Sequence, residues 1–231
     1  MSQLMSFRKV ALSFAMFAVV AFGSAAATKA DNATFDLNRG STLPNQNYGT
    51  LQLQLNGSGQ IVFNINLLNG AYVIQTGQGT AVGFSSSLTP NPTISGSNFS
   101  NANYSLGSGI PGVANGDGFG NFEYHIVSPT IGANDPPPAA ASNLAFTISC
   151  VTCAGGAFTS VFDLVQNSTG GGITTPFAID IFCPTCGGGN GATGFVGATL
   201  HPVPTPEPTS MFLLGTGLVG AAGALRRRFK K

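Results

Sequence analysis

Between residues 51 and 67 apolar and polar side chains alternate with a period of two. Leu51, Leu53 and Leu55 are interleaved with Gln52 and Gln54, and Ile61, Phe63, Ile65 and Leu67 with Val62, Asn64 and Asn66. Successive side chains of a strand point to opposite faces, so this pattern suits a sheet with one buried face and does not suit a helix. Asn56-Gly57-Ser58-Gly59 between the two runs is turn material of the hairpin kind.

Further strands are expected over 34–38, 72–76, 80–84, 119–127, 144–150, 158–165, 176–183 and 193–200. Gly, Asn, Ser and Thr are abundant across 31–203, and helix-forming Lys and Glu are nearly missing. Ten short strands without a convincing amphipathic helix predict an all-β ectodomain, an antiparallel β-sandwich or jelly roll. Asp135-Pro136-Pro137-Pro138 reads as a surface loop inside one domain. The Asn-, Gly- and Ser-rich stretch around 95–108 reads as mobile.

Both ends are of a different kind. Arg8-Lys9 precede an unbroken apolar run from Val10 to Phe22, followed by the small residues Gly23 to Ala27 and then Thr28-Lys29-Ala30. This is the order of a secretory signal, with a signal helix removed by signal peptidase after Ala27 or Ala30. At the other end Pro204, Pro206 and Pro208 predict an extended stalk over 203–208, because proline fixes φ and lacks an N–H. His201 is read as part of the stalk, which leaves His125 as the only histidine within the fold. An uncharged run from Met211 to Leu225 then leads into Arg226, Arg227, Arg228, Phe229, Lys230 and Lys231. Fifteen helical residues span about 22 Å, short of a ~30 Å hydrocarbon core. Thr209, Ser210 and snorkelling arginines lengthen the reach. Gly217, Gly220 and Gly223 give the helix a small-residue face suited to close helix approach.

The break Pro206-Glu207-Pro208, the apolar segment and the basic cluster, in that order, resemble the PEP-CTERM sorting tail of exported bacterial proteins. The resemblance covers roughly the last 26 residues and implies an exosortase-type processing enzyme as partner, with a short membrane helix as a transient anchor. It implies a destination, the cell surface or extracellular space beyond the inner membrane, and leaves the activity of the passenger open. The chain thus divides into a signal peptide (1–30), a β-rich exported domain (31–202) and a sorting tail (203–231).

Charge follows the same division. Of the nine Lys and Arg, Arg8, Lys9 and Lys29 lie in the signal and five in the terminal cluster, which leaves Arg39 alone against all eight acids, a net −7 between the ends. Basic ends stay on the cytoplasmic side of a membrane, so the precursor is expected as a hairpin with its acidic middle outside. Binding of nucleic acid, which needs a basic footprint, is excluded.

Two segments share the pattern C-x-T-C-x-G-G: Cys150 to Gly156 and Cys183 to Gly189. Each follows a strand whose apolar residues sit at even offsets from the first cysteine, Leu144, Phe146 and Ile148 before Cys150, and Phe177, Ile179 and Ile181 before Cys183. Equal parity places Cys150 and Cys183 on the core-facing side. If the two strand ends meet at one rim, four sulfurs converge. Cys150, Cys153, Cys183 and Cys186 then form either disulfides, favoured by an oxidising compartment, or a closed tetrahedral zinc site. Disulfides closing a loop of about 30 residues contribute roughly 3 to 4 kcal/mol. Structural zinc is the one cofactor weighed, and none is expected on the disulfide reading.

Other constellations are weak. Asn115-Gly116-Asp117-Gly118-Phe119-Gly120-Asn121-Phe122-Glu123 offers oxygens at alternate positions, as a Ca²⁺ loop does, but with few carboxylates. The plainer expectation is a turn into a strand with Phe122, Tyr124 and Ile126 inward and Glu123 and His125 in solvent. His125 could serve a serine nucleophile with Asp117 or Asp163, but no G-x-S-x-G elbow accompanies it, and no enzyme is expected. Without Trp, a sugar-stacking platform would fall to Tyr48, Tyr72, Tyr104 or Tyr124. The leading expectation is an exported structural or adhesive protein of the envelope or biofilm matrix. A polysaccharide-binding module is the alternative and a secreted hydrolase the third reading.

Overall fold

The computed structural model describes residues 31–201 apart from 78, 133, 137 and 187–190. The signal helix expected within 1–30, Pro202, the sorting tail over 203–231 with its expected membrane helix, and Gly187 to Gly189 lie outside the described residues. Among the described residues no helix is long and apolar enough to cross a membrane.

The described residues form fourteen strands: β1 (Asn32–Gly40), β2 (Gly49–Leu55), β3 (Ile61–Leu67), β4 (Tyr72–Val73), β5 (Val82–Phe84), β6 (Ile94–Ser97), β7 (Ser105–Leu106), β8 (Ala114–Asn115), β9 (Gly120–Phe122), β10 (Tyr124–Val127), β11 (Asn143–Cys150), β12 (Thr169–Gly170), β13 (Phe177–Cys183) and β14 (Ala192–Leu200). The all-β antiparallel expectation holds. The layering differs from a sandwich of two separate sheets, because one sheet runs β6-β11-β3-β2-β1-β14-β13-β5-β10-β7, with β4 added on β13. Its edges approach each other: Ile94 N donates to Gly109 O at 2.7 Å, and a Cβ at Gly96 would lie 2.9 Å from Leu106 Cβ. The sheet therefore wraps around its core as a nearly closed barrel, which shields the edges that an open sheet would leave unpaired. A small sheet, β12-β9-β8, lies outside it.

The alternation read from the sequence sets the inner face. Leu51, Leu53, Ile61, Phe63 and Ile65 are all buried in the main core, with the Phe63 ring stacked on Phe146 at 4.7 Å and edge-on to Phe177 at 6.0 Å. Each such side chain contributes roughly 1.5 to 3 kcal/mol on leaving water. β13 is buried on both faces. Phe177, Ile179, Ile181 and Cys183 join the main core, while Ala178 packs outward with Ala114, Phe119, Phe122 and Phe195.

Three expectations are corrected. The strand over 158–165 is instead a 3-10 turn, Val161–Leu164, started by a capping box in which the Ser160 hydroxyl accepts from Phe162 N and the Asp163 carboxylate from Ser160 N. Phe158, Val161 and Leu164 enter the main core from it. The stretch around 95–108 is ordered by pairing, since β6 adds to β11 and β7 to β10. The strand over 119–127 is split at Glu123, whose N–H donates to Ser85 Oγ while its carboxylate accepts from Ser86 N and Asn91 Nδ2. Phe122 therefore joins the outer cluster and Tyr124 the main core, and Glu123 is engaged instead of standing free in solvent.

Every strand pair in the main sheet is antiparallel, so strand direction alternates along the order. The start of β1, the end of β11 and the end of β14 share one pole of the barrel. The end of β13 and the loop between β1 and β2 share the other.

Candidate functional site

The first site the sequence points to is the place where the domain meets the segments that flank it. β1 and β14 are neighbours with Phe35 opposite Leu200, so the first and last strands leave the barrel side by side. His201 is still held to β1: its N–H donates to Thr34 O at 2.8 Å, and its ring Nδ1 lies 2.8 Å from Asp36 Oδ2. It belongs to the domain and not, as expected, to the stalk. Arg39, the only Lys or Arg among the described residues, donates to Thr174 O at 3.3 Å. Pro206, Glu207 and Pro208, and the basic residues Arg226, Arg227, Arg228, Lys230 and Lys231, lie outside the described residues.

The cysteines form the second site. Parity is as expected: Cys150 and Cys183 are both buried in the main core. The expected convergence does not occur. β11 and β13 stand five steps apart in the sheet order, run in opposite directions, and end at opposite poles. The sulfurs pair within each knuckle, Cys150 with Cys153 and Cys183 with Cys186, with Cα atoms 5.7 and 5.4 Å apart. A tetrahedral site drawing on all four thiolates would need one rim, so it is not assembled by this topology. The pole with the start of β1 and the end of β14 carries Cys150–Cys153, tied down by Thr93 N donating to Thr152 Oγ1 at 2.8 Å. At the far pole Gln46 Nε2, from the β1–β2 loop, donates to Cys186 Sγ at 3.3 Å. A cavity of about 390 Å³ beside the first knuckle is lined by Leu88, Pro90, Pro92, Thr152 and Cys153.

The weaker candidates separate. Burial lowers the pKa of His125 and favours the neutral ring. Among the described residues no hydrogen bond joins that ring to a serine or a carboxylate. Asp163, one of its two possible orienters, is committed to the backbone of Thr159 and Ser160. The four tyrosines are buried, from Tyr124 at 0% to Tyr72 at 6% exposure, which removes them as a stacking platform. Burial raises the pKa of Tyr104 to about 12, and its hydroxyl donates to Val73 O at 2.8 Å inside the fold.

Sequence reasoning missed Asp180. It stands in an otherwise apolar strand, is 0% exposed, and burial raises its pKa to about 6 against the pull of hydrogen bonds from Thr76. A lone carboxylate inside Phe-Ala-Ile-Asp-Ile-Phe-Cys was the available sign.

The PEP-CTERM protein-sorting motif matches residues 204–228, beginning two residues before the Pro206-Glu207-Pro208 break and ending at Arg228. No curated protein matches the chain, and no solved structure does. The motif supports an exported protein that is anchored through its C-terminus before processing by an exosortase-type enzyme.

Proposed function

We propose that the chain is a structural or adhesive protein of the cell envelope or extracellular matrix, cut near Pro206 to Pro208 and released from the membrane to the cell surface. The observation that carries this reading is the shared exit of both ends. Adjacent antiparallel strands β1 and β14 direct the signal side and the sorting tail to the same pole, which suits a hairpin precursor standing on one membrane face. The β14 link enters the middle of the sheet, with β1 on one side and β13 on the other, so tension along the tail is shared by two full ladders.

A passive role for the passenger is supported by how its polar groups are used. Carboxylates serve the fold: Asp31 accepts from Val161 N, Asp36 contacts His201, Glu123 holds Ser86 N, and Asp163 caps a turn. The test is fractionation of the native host and a strain lacking the protein. The chain should appear in the surface or matrix fraction without its basic end, and its loss should weaken cell or matrix cohesion. Full-length protein kept in the inner membrane, or unchanged cohesion, would contradict the proposal.

A further inference from the structure

The two poles of the barrel differ in what they show to solvent. Of the six large apolar side chains exposed among the described residues, Ile110, Val113, Val151, Phe162 and Leu200 gather around the pole where β1 starts and β14 ends, which leaves Leu68 at the other. Phe162 stands on the turn that closes this pole. Val161 and Leu164 enter the core from that turn, so Phe162 is directed away from it, at 46% exposure. Val151 follows the last residue of β11, lies between the two bridged cysteines, and donates its N–H to Thr93 O at 2.8 Å. Ile110 and Val113 ride on the loop after β7, which is held to the same rim where Gly109 O accepts from Ile94 N and Gly112 N donates to Glu123 O. Ser87 Oγ donates to Phe162 O at 2.8 Å, and the next residue, Leu88, lines with Pro90 and Pro92 the cavity that reaches Cys153 beside Val151.

The carboxylates at this pole are engaged within the fold. Asp31 accepts from Val161 N, Glu123 from Ser86 N, and Asp163 from Thr159 N and Ser160 N, while Asp36 contacts His201. Arg39, the only Lys or Arg among the described residues, lies toward the other end of β1. The chain also restricts which pole can meet a membrane. Nine residues, 202–210, separate His201 from the uncharged run 211–225. Fully extended they reach at most about 35 Å, less than the roughly 40 Å width of a compact domain of this size. The far pole therefore cannot turn toward the bilayer that holds the run.

We infer that this pole is a lipid-contact surface, on which Phe162, Val151, Ile110, Val113 and Leu200 rest in the headgroup region of the bilayer while the precursor is anchored. The contact presupposes the C-terminal anchoring proposed above and adds to it a weak, reversible one made by the folded domain. Apolar side chains gain by leaving water at the interface, and a tether shorter than the domain keeps them at high local concentration beside it. No Lys or Arg takes part, so the contact does not depend on anionic lipid. Cutting the tail removes the tether, and a surface this small then lets the domain go.

The chain contains no Trp, so a single introduced indole reports its own position. Phe162→Trp, Val151→Trp and Leu68→Trp are placed one at a time in the unprocessed, anchored protein, which is reconstituted into phosphatidylcholine vesicles with brominated acyl chains, bromine being a contact quencher of indole. At an interfacial depth of about 5–10 Å, emission from Phe162→Trp and Val151→Trp should fall by about half or more relative to unbrominated vesicles. Emission from Leu68→Trp should not change, and added phosphatidylglycerol should leave the pattern as it is. Should one of the two pole variants fail to fold, the other decides alone. Protein that floats with the vesicles while the pole indoles emit as Leu68→Trp does would overturn the lipid contact and leave the anchoring intact. Protein that does not float with them would contradict the anchoring, and the lipid contact with it. Quenching that appears only with phosphatidylglycerol would also overturn the proposal, because charge would then be making the contact.

Discussion

The two C-x-T-C-x-G-G knuckles share their cysteines, their threonine and their strand parity, yet they sit at opposite poles and are fastened differently. Cys150–Cys153 is at the pole of the chain ends, with Val151 57% exposed between its sulfurs and Thr152 tied back to Thr93. Cys183–Cys186 is at the far pole, both cysteines buried, with a side chain from the β1–β2 loop on Cys186. The difference teaches that a repeated motif and its parity specify a face of a sheet, whereas the pole depends on how many strands lie between. Five steps reverse the direction, and four or six would not have.

The largest effect expected from this comparison is that of reducing both knuckles. Each disulfide joins residues three apart in sequence, and closing so short a loop is worth only about 2 kcal/mol in the chain-entropy account, so full reduction should cost about 4 kcal/mol. Cross-links between the poles would enclose much longer loops and each contribute about 4 kcal/mol alone. Proteolysis without reductant should release each knuckle as a separate peptide. A peptide joining Cys150 or Cys153 to Cys183 or Cys186 would refute the arrangement.

Next in size is Asp180, on the wall between the poles. Burial raises its pKa to about 6 from 3.8, so the folded chain holds the proton more tightly than the unfolded one. Stability contributed by Asp180 is therefore full at about pH 4 and is lost as pH rises through about 6. Asp180→Asn should stabilise the protein at pH 8 by up to about 3 kcal/mol and do little near pH 4. His125, whose pKa burial lowers, pulls the other way by favouring the fold above its ordinary value. The test is accordingly the difference between wild type and variant across pH, measured by denaturant unfolding. A difference that does not shrink as pH falls would contradict the assignment.

How far the fold could be read ahead depended on which force set each element. β2, β3 and β11 follow from alternation because burial of one face sets them, whereas β13 and the middle of β14 are buried on both faces and were legible as runs of β-forming residues. The two-residue strands β4, β7, β8 and β12 carry no such pattern and exist through their partners. The turn Val161–Leu164 was legible in principle, since Phe158, Val161 and Leu164 recur every three residues behind Ser160-x-x-Asp163. The apolar content there suggested a strand instead. Barrel closure rests on contacts between β6 and β7, consecutive short strands of which one extends β11 and the other β10, and neither carries a periodic pattern. For the sites, face was legible and pole was not, and Asp180 passed as one more acid among eight.

The smallest effect separates the knuckles directly. Replacing both cysteines by alanine should cost more at the far pole than at the near one, by about 1 kcal/mol or less, because Cys183 and Cys186 are both buried and Gln46 would lose its acceptor. Equal losses measured by thermal unfolding would show that the difference in anchoring has no energetic consequence.

The central claim, an exported domain trimmed at both ends that leave from one pole, is tested most directly by the intact mass of the protein recovered from its native host. The expected chain begins after Ala27 or Ala30, ends near Pro206 to Pro208, and is four hydrogens lighter than its reduced form because two disulfides are closed. A mass that retains Arg226 to Lys231 would contradict it.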